Sequence, residues 1–322
     1  MSTLAVEGLR VRLPTPAGDV TVVDGVDYEV QPAEVFGIAG ESGSGKTVSM
    51  LALLGLLPDG SSVEGSARFG EDDLISMPRR RLRSISGRDI AMVFQDPYTS
   101  LHPMLSVGKQ LTEHVRLHLG LDRGRAEERA VELLTDVRIP DPHAALRRFP
   151  HQFSGGMRQR IAIAIALACR PRLLIADEPT TALDVTVQAG ILRLLDRLRT
   201  EHELAVVLIT HDLGVLSSIA DRVSIFYAGR VVESGEREEV LRTPRHPYTR
   251  ALLDALPHPE APQEQDLVAI KGAPPTPGRI PAGCAFHPRC AYLLAECRTK
   301  VPPLVPAGDR LLACPPDPFS HL

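Results

Sequence analysis

The sequence predicts an α/β chain, and three observations carry that prediction. Leu173–Ala176, Ala205–Ile209 and Val223–Tyr227 are short unbroken apolar runs, the pattern of strands buried on both faces of a parallel sheet. Stretches of helical spacing separate them, so strands and helices alternate. Finally, the apolar run Phe36-Gly37-Ile38-Ala39 leads into a glycine-rich loop, and a helix-like run follows it.

The elements justify this in order. The first thirty-odd residues read as β: Val20–Val23 and Val26–Val30 are apolar and β-branched, and Pro16, Gly18, Asp24-Gly25 and Pro32 punctuate them. Val48–Leu57 reads as a helix stopped by Pro58-Asp59-Gly60. From Leu105 to Ala168 the pattern is mostly helical, with Ala126, Ala130, Val131, Leu133, Leu134 and Val137 near helical spacing. After Arg242 the texture changes, because sixteen of the 28 prolines lie between Pro244 and Pro318. Such a tail is expected to contain no regular helix or central strand, and to be held by something other than a large core.

Composition narrows the function classes. The chain has 322 residues, 43% hydrophobic and 24% charged, enough for a large domain plus an appendage. Lys+Arg is 36 and Asp+Glu is 40, a net charge of −4, which gives no general drive toward nucleic acid. The densest basic run, Arg79-Arg80-Arg81 with Arg83 and Arg88, reads by default as a solvated face. There is no Asn, so the NKxD guanine-reading motif is excluded. The residues after Met1 do not follow the basic-then-apolar pattern of a secretory signal. The longest apolar run, Ile161–Cys169, is nine residues, against roughly 20 for a bilayer span. The expectation is a cytosolic or membrane-peripheral chain.

Gly40-Glu41-Ser42-Gly43-Ser44-Gly45-Lys46-Thr47 fits GxxxxGK[ST]. Glycines let backbone N–H groups converge on phosphate oxygens, and the following helix adds its positive end. Lys46 would reach the β/γ-phosphates and Thr47 would ligate Mg²⁺. Asp177 and Glu178 end the Leu173–Ala176 run, where open α/β sheets bind ligands. Asp177 would hold Mg²⁺ and Glu178 would polarise the attacking water. The bland alternatives are a glycine-rich turn and a solvated acidic turn. Together, and in this context, the two motifs outweigh them.

Four further segments set the class. Val93-Phe94-Gln95-Asp96-Pro97 resembles the Q-loop of ABC ATPases, and Phe153-Ser154-Gly155-Gly156-Met157-Arg158-Gln159-Arg160 resembles their signature motif. Thr181-Ala182-Leu183-Asp184 resembles the D-loop and Thr210-His211-Asp212 the H-loop. Thr99-Ser100-Leu101, Val107-Gly108, His246-Pro247-Tyr248-Thr249 and Gly283–Cys290 resemble the ATP-binding subunits of oligopeptide/dipeptide ABC importers over essentially the whole chain.

The resemblance implies an ABC-type P-loop NTPase nucleotide-binding domain at 1–241, with a RecA-like core, an antiparallel β subdomain and a helical signature subdomain at about 96–168. A small irregular Cys-containing C-terminal domain would occupy 242–322. It implies ATP hydrolysis powering import of peptides or related small solutes. Gly40, Ser42, Gly43, Ser44, Gly45, Lys46, Thr47, Gln95, Asp177, Glu178 and His211 would bind ATP, with Glu178, His211 and Gln95 catalytic and Thr47, Gln95 and Asp177 around Mg²⁺. Ser154, Gly155, Gly156 and Asp184 would act across a dimer on nucleotide held by the partner, although Ser154 also reads as a plain helix cap. Implied partners are a second ABC ATPase subunit, two transmembrane permease subunits and an extracytoplasmic solute-binding protein, with no nucleic acid. The implied place is the cytoplasmic face of the cell membrane.

This chain departs from the family pattern at Leu13, where an aromatic usually stacks on adenine, at Ala33, usually Gly, and at His102, usually Asn. Cys284, Cys290, Cys297 and Cys314 are spaced C-x5-C-x6-C-x16-C. A disulfide framework is disfavoured without an export signal. Zn²⁺, a [4Fe–4S] cluster and unmetallated thiols stay open, and the resemblance favours the cluster. His287 is a further candidate ligand with a surface role as the alternative, and Cys169 reads as a packed core residue. Two other function classes compete with the importer subunit. One is a soluble non-transport ABC ATPase, which tandem domains or a coiled-coil insertion would mark. The other is an iron–sulfur-bearing regulatory module, against which intact Glu178 and His211 argue.

Overall fold

The computed structural model describes residues 2–96, 100–181, 183–256 and 269–320. Pro97, Thr99 and Ala182 of the motifs above lie outside them. The strands are β1 (Leu4–Thr15), β2 (Gly18–Val30), β3 (Val35–Ala39), β4 (Ser62–Phe69), β5 (Asp72–Asp73), β6 (Ile90–Val93), β7 (Leu173–Asp177), β8 (Ala205–Ile209), β9 (Arg222–Tyr227), β10 (Arg230–Glu236), β11 (Val305–Ala307) and β12 (Arg310–Leu312). The α-helices are α1 (Lys46–Leu53), α2 (Arg79–Ile85), α3 (Val107–Leu119), α4 (Arg123–Asp136), α5 (Pro142–Ala145), α6 (Gly155–Ala166), α7 (Val185–His202), α8 (Leu213–Ile219), α9 (Arg237–Arg242) and α10 (Pro247–Asp254). No helix among the described residues is long and apolar enough to cross a membrane.

The chain forms two compact units. The first comprises Met1–Ala5, Glu29–Val35 and Arg68–Ile209. Its sheet segment is β6, β7 and β8, all parallel, with Ile90 opposite Leu173 and Leu173 opposite Ala205. All five residues of β7 and of β8 are buried, which is why both read as unbroken apolar runs. Helices α2 to α7 belong to the same unit. Ala126, Ala130, Leu133 and Leu134 form the buried stripe of α4. Cys169 is buried, as expected of a packed residue, and burial pushes its thiol up to about 11.

The second unit comprises Val6–Tyr28, Phe36–Ala67 and Thr210–Leu322. Strand β3 pairs in parallel with β9, β9 antiparallel with β10, and β10 antiparallel with β12, which also takes β11. Here the tail departs from expectation. Helix α10 places Pro247 in its first turn, where a missing N–H costs nothing. Strand β12 avoids proline, so it accepts a ladder on both sides. A buried ion pair fastens it, Arg310 Nη1 to Glu233 Oε1 at 3.1 Å, with both side chains nearly inaccessible. Phe286 is the tail's apolar anchor: its ring lies 5.3 Å from those of both Tyr227 and Tyr248.

Candidate nucleotide site

The phosphate loop belongs to the second unit. It leaves β3 at Gly40, whose φ is +146°, and a Cβ there would sit 2.1 Å from the Phe226 carbonyl oxygen. Gly45 caps α1 at φ +99°, and a Cβ there would sit 2.8 Å from the Val22 carbonyl oxygen. Both glycines are therefore demanded by the backbone. Lys46 is buried, and its Nζ donates to the carbonyls of Gly40 (2.7 Å) and Glu41 (2.9 Å) and to Ser44 Oγ (3.4 Å). The ammonium is thus held against the loop that a phosphate would enter. In the same unit His211 is exposed, one residue before Asp212, whose carboxylate accepts from Gly214 N at 2.8 Å and caps α8.

The acidic strand end belongs to the first unit. Asp177 is buried as the last residue of β7. Glu178 follows in the left-handed region, φ +46°, a conformation that costs a side-chain-bearing residue energy and clusters at functional sites. Its N–H donates to the Ile209 carbonyl at 2.8 Å, which holds it there. Its Oε2 accepts from Gln95 Nε2 at 2.8 Å and from Thr181 Oγ1 at 2.9 Å. Gln95 lies two residues beyond β6, the parallel neighbour of β7, so the two strand ends bring these side chains together. The sequence alone did not mark Thr181 as a partner of Glu178.

The signature serine and the aspartate of the D-loop-like segment both cap helices. Ser154 Oγ accepts from Met157 N at 3.4 Å, and Asp184 Oδ1 accepts from Val187 N at 2.9 Å. Gly156 has a packing reason as well, since a Cβ there would meet Val187 Cγ1 at 2.5 Å. Ser154 is therefore a helix cap. It leaves the N-terminus of α6 half exposed at Gly155 and Gly156, as an anion-facing helix end must be.

Comparisons with known proteins show the family and the fold. A family model described as "ABC transporter" matches residues 23–181, and one described as "Oligopeptide/dipeptide transporter, C-terminal region" matches 232–297. The oligopeptide transport ATP-binding protein OppD of Salmonella typhimurium is 45% identical over 311 residues, 97% of this chain and 92% of that protein. This chain belongs to the ATP-binding proteins of oligopeptide-type ABC transporters. The Haemophilus influenzae protein of the same name is 47% identical over 92% of this chain and 91% of its own. Among solved structures, the dimeric post-hydrolysis ATP-binding cassette MJ0796 bound to ADP and Pi has a TM-score of 0.65 at 26% identity, covering 73% of this chain and 98% of that one. CbiO1 of Clostridium perfringens has a TM-score of 0.64 at 27% identity, covering 75% and 91%. The nucleotide-binding fold of ABC ATPases is thereby established for this chain.

Two of this member's departures have a structural account. Ala33 sits at φ +55°, which explains why glycine suits that turn. His102 Nδ1 accepts from Met104 N at 3.2 Å, the local cap an Asn side chain also makes. Leu13 is half-buried on β1 and brings no ring to adenine. The tail cysteines are all free and half-buried. Burial raises Cys284 and Cys290 above the ordinary thiol value and Cys314 to about 12, and Cys314 also feels the other three electrostatically. Among the described residues, however, no three His, Cys, Asp or Glu side chains gather as a metal-holding group. The soft donor chemistry suits iron–sulfur, while the arrangement does not present a ligand set. His287 Nδ1 instead contacts the Cys284 carbonyl at 3.0 Å.

Proposed function

We propose that this chain is the ATP-hydrolysing subunit that powers import of peptides, or related small solutes, through a membrane ABC transporter. The observation that carries the reading is the match to oligopeptide transport ATP-binding proteins over 97% of the chain, tail included. The nucleotide domain would span 1–241, with its helical part near 96–168, and the C-terminal domain 242–322.

In this reading the loop from Gly40 through Ser42, Gly43, Ser44 and Gly45 cradles the phosphates by its N–H groups, and Lys46 neutralises them. Thr47, Gln95 and Asp177 offer a hydroxyl, an amide oxygen and a carboxylate, a hard-oxygen set that fits Mg²⁺. When bound, Mg²⁺ supplies charge neutralisation on the phosphates. Glu178 accepts the proton of the attacking water, and His211 contacts the γ-phosphate. Ser154, Gly155, Gly156 and Asp184 serve the nucleotide of a second ABC ATPase subunit. Two transmembrane permease subunits take up the resulting motion, a solute-binding protein outside the membrane delivers cargo, and the chain works at the cytoplasmic face.

For Cys284, Cys290, Cys297 and Cys314 the proposal is a [4Fe–4S] cluster in preference to Zn²⁺. Its support is the family resemblance of the tail together with a soft thiolate donor set; the spacing identifies no one metal, and the thiols are not gathered as a metal-holding group among the described residues. No step of hydrolysis runs through it.

The test is reconstitution of the chain with its co-purifying permease subunits in lipid vesicles. ATP-dependent uptake of a peptide, stimulated by the solute-binding protein, is expected. ATP hydrolysis that no membrane partner or solute alters would overturn the import reading.

A further inference from the structure

The phosphate loop contains an acidic residue, Glu41, in a site whose ligand is strongly anionic. An uncompensated carboxylate there repels phosphate. The structure compensates it from 248 residues away. Arg289 reaches Glu41 with two parallel bonds, Nη1 to Oε2 at 2.6 Å and Nη2 to Oε1 at 3.0 Å. The Arg289 side chain is only 5% exposed and that of Glu41 24%, so the pair is a half-buried bidentate one. Nε donates to the Lys271 carbonyl at 3.0 Å and Nη1 also to Tyr227 Oη at 3.3 Å, which fixes the guanidinium plane.

Glu41 is held at every polar group. Its N–H donates to Tyr248 Oη at 2.8 Å. Its carbonyl accepts from Lys46 Nζ at 2.9 Å and from Ser44 N at 3.2 Å. The residue that Arg289 grips is therefore the same one whose backbone seats the phosphate lysine. Arg289 lies in the segment 285–289, flanked by Cys284 and Cys290, and that segment is anchored by buried Phe286.

We propose that Arg289 is a positioning residue of the nucleotide site, which neutralises Glu41 and sets the phosphate loop from the C-terminal tail. Tyr248 shares the task by holding the Glu41 N–H. The proposal rests on the ATPase reading above and deepens it: the tail is part of what makes the loop competent for ATP.

The experiment compares wild type, Arg289→Ala, Arg289→Lys, Glu41→Gln and the Arg289→Ala/Glu41→Gln double variant in the assembled transporter. The KM for MgATP and kcat are measured, with thermal melting of each protein. Arg289→Ala is expected to raise KM about tenfold, as loss of a half-buried bidentate partner predicts, with a smaller change in kcat. Glu41→Gln added to it should restore most of the loss, because it removes the charge that Arg289 neutralised. Arg289→Lys should fall between. If Arg289→Ala does not fold, Arg289→Gln carries the same comparison with more of the side chain kept. A wild-type KM in Arg289→Ala, or a raised KM that Glu41→Gln leaves unchanged, overturns the proposal while the ATPase reading stands. A wild-type complex that neither binds nor hydrolyses ATP overturns both.

Discussion

Gln95 donates from Nε2 to Glu178 Oε2 at 2.8 Å. A carboxylate only accepts, so the amide must turn its NH₂ toward Glu178, which leaves Oε1 as the acceptor end suited to a cation. One side chain thus links the proposed base to the proposed metal. Replacing Gln95 by Ala is expected to cut kcat about tenfold or more, the scale of losing one oriented polar group at a phosphoryl-transfer site, with little change in ATP affinity. Single-turnover hydrolysis against equilibrium ATP binding checks this. Equal loss in both would mean that Gln95 only supports binding.

Thr181 is the second donor to Glu178 Oε2, at 2.9 Å. Its removal frees one lone pair while the Gln95 bond remains. Thr181→Val should therefore lower kcat by a few-fold, about 1 kcal/mol for one net hydrogen bond. A wild-type kcat in Thr181→Val would contradict the link.

His246 gives the tail a pH dependence of fixed sign. The ring is fully buried, Nδ1 accepts from Tyr248 N at 3.1 Å, and burial pushes its pKa down to about 3. The unfolded ring takes a proton near pH 6.5, so its contribution to stability is present above that pH and is lost as pH falls toward 3. Glu233, which accepts from His246 N at 3.0 Å, has its pKa raised by burial and acts in the opposite sense. The clean measurement is a difference between melting curves. His246→Asn keeps a capping side chain and should flatten the acid limb relative to wild type. Parallel curves would refute this.

Phe286 holds the tail to Tyr227 and Tyr248. Truncation to Ala should cost about 3–5 kcal/mol, as for a buried aromatic. Part of that should appear as a weaker hold on Glu41, since Arg289 lies three residues on. Hydrogen exchange of the loop and the tail should rise together in Phe286→Ala. Exchange confined to the tail would separate the two.

The proposed iron–sulfur cluster predicts a colour. With that cluster an anaerobic preparation would be brown, with absorbance near roughly 400 nm from iron–thiolate charge transfer, lost on Cys290→Ser. Colourless protein with stoichiometric zinc would favour the other metal, and metal-free protein would leave four structural thiols.

Much of the fold was legible because its signals are local. The strands β7 and β8 are buried on both faces, so their apolar runs mark them almost to the residue. The phosphate loop carries its own glycines, which the backbone requires at Gly40 and Gly45. Helix α1 ends at Leu53, short of the Leu57 that the sequence predicts. Gly55, at φ +63°, closes the helix ahead of the proline stop, with Leu56 N donating back to Leu51 O at 2.9 Å. The tail holds a helix and a strand that its proline count does not predict, because a count does not say where the prolines fall. Pro247 opens a helix, and Arg310–Leu312 has none. Glu41 and Arg289 are 248 residues apart, and no spacing rule links them. Family resemblance placed the surrounding text without assigning that contact.

The measurement that bears most directly on the central claim is ATP hydrolysis by wild type and Glu178→Gln in complex with the permease subunits. Glu178, the proposed base, is held by Gln95, Thr181 and the Ile209 carbonyl. The wild-type complex should hydrolyse ATP. Glu178→Gln should bind it with similar affinity and lose about 10²–10⁴-fold in kcat, the range of a general base. A Glu178→Gln complex that hydrolyses ATP at the wild-type rate would contradict the account.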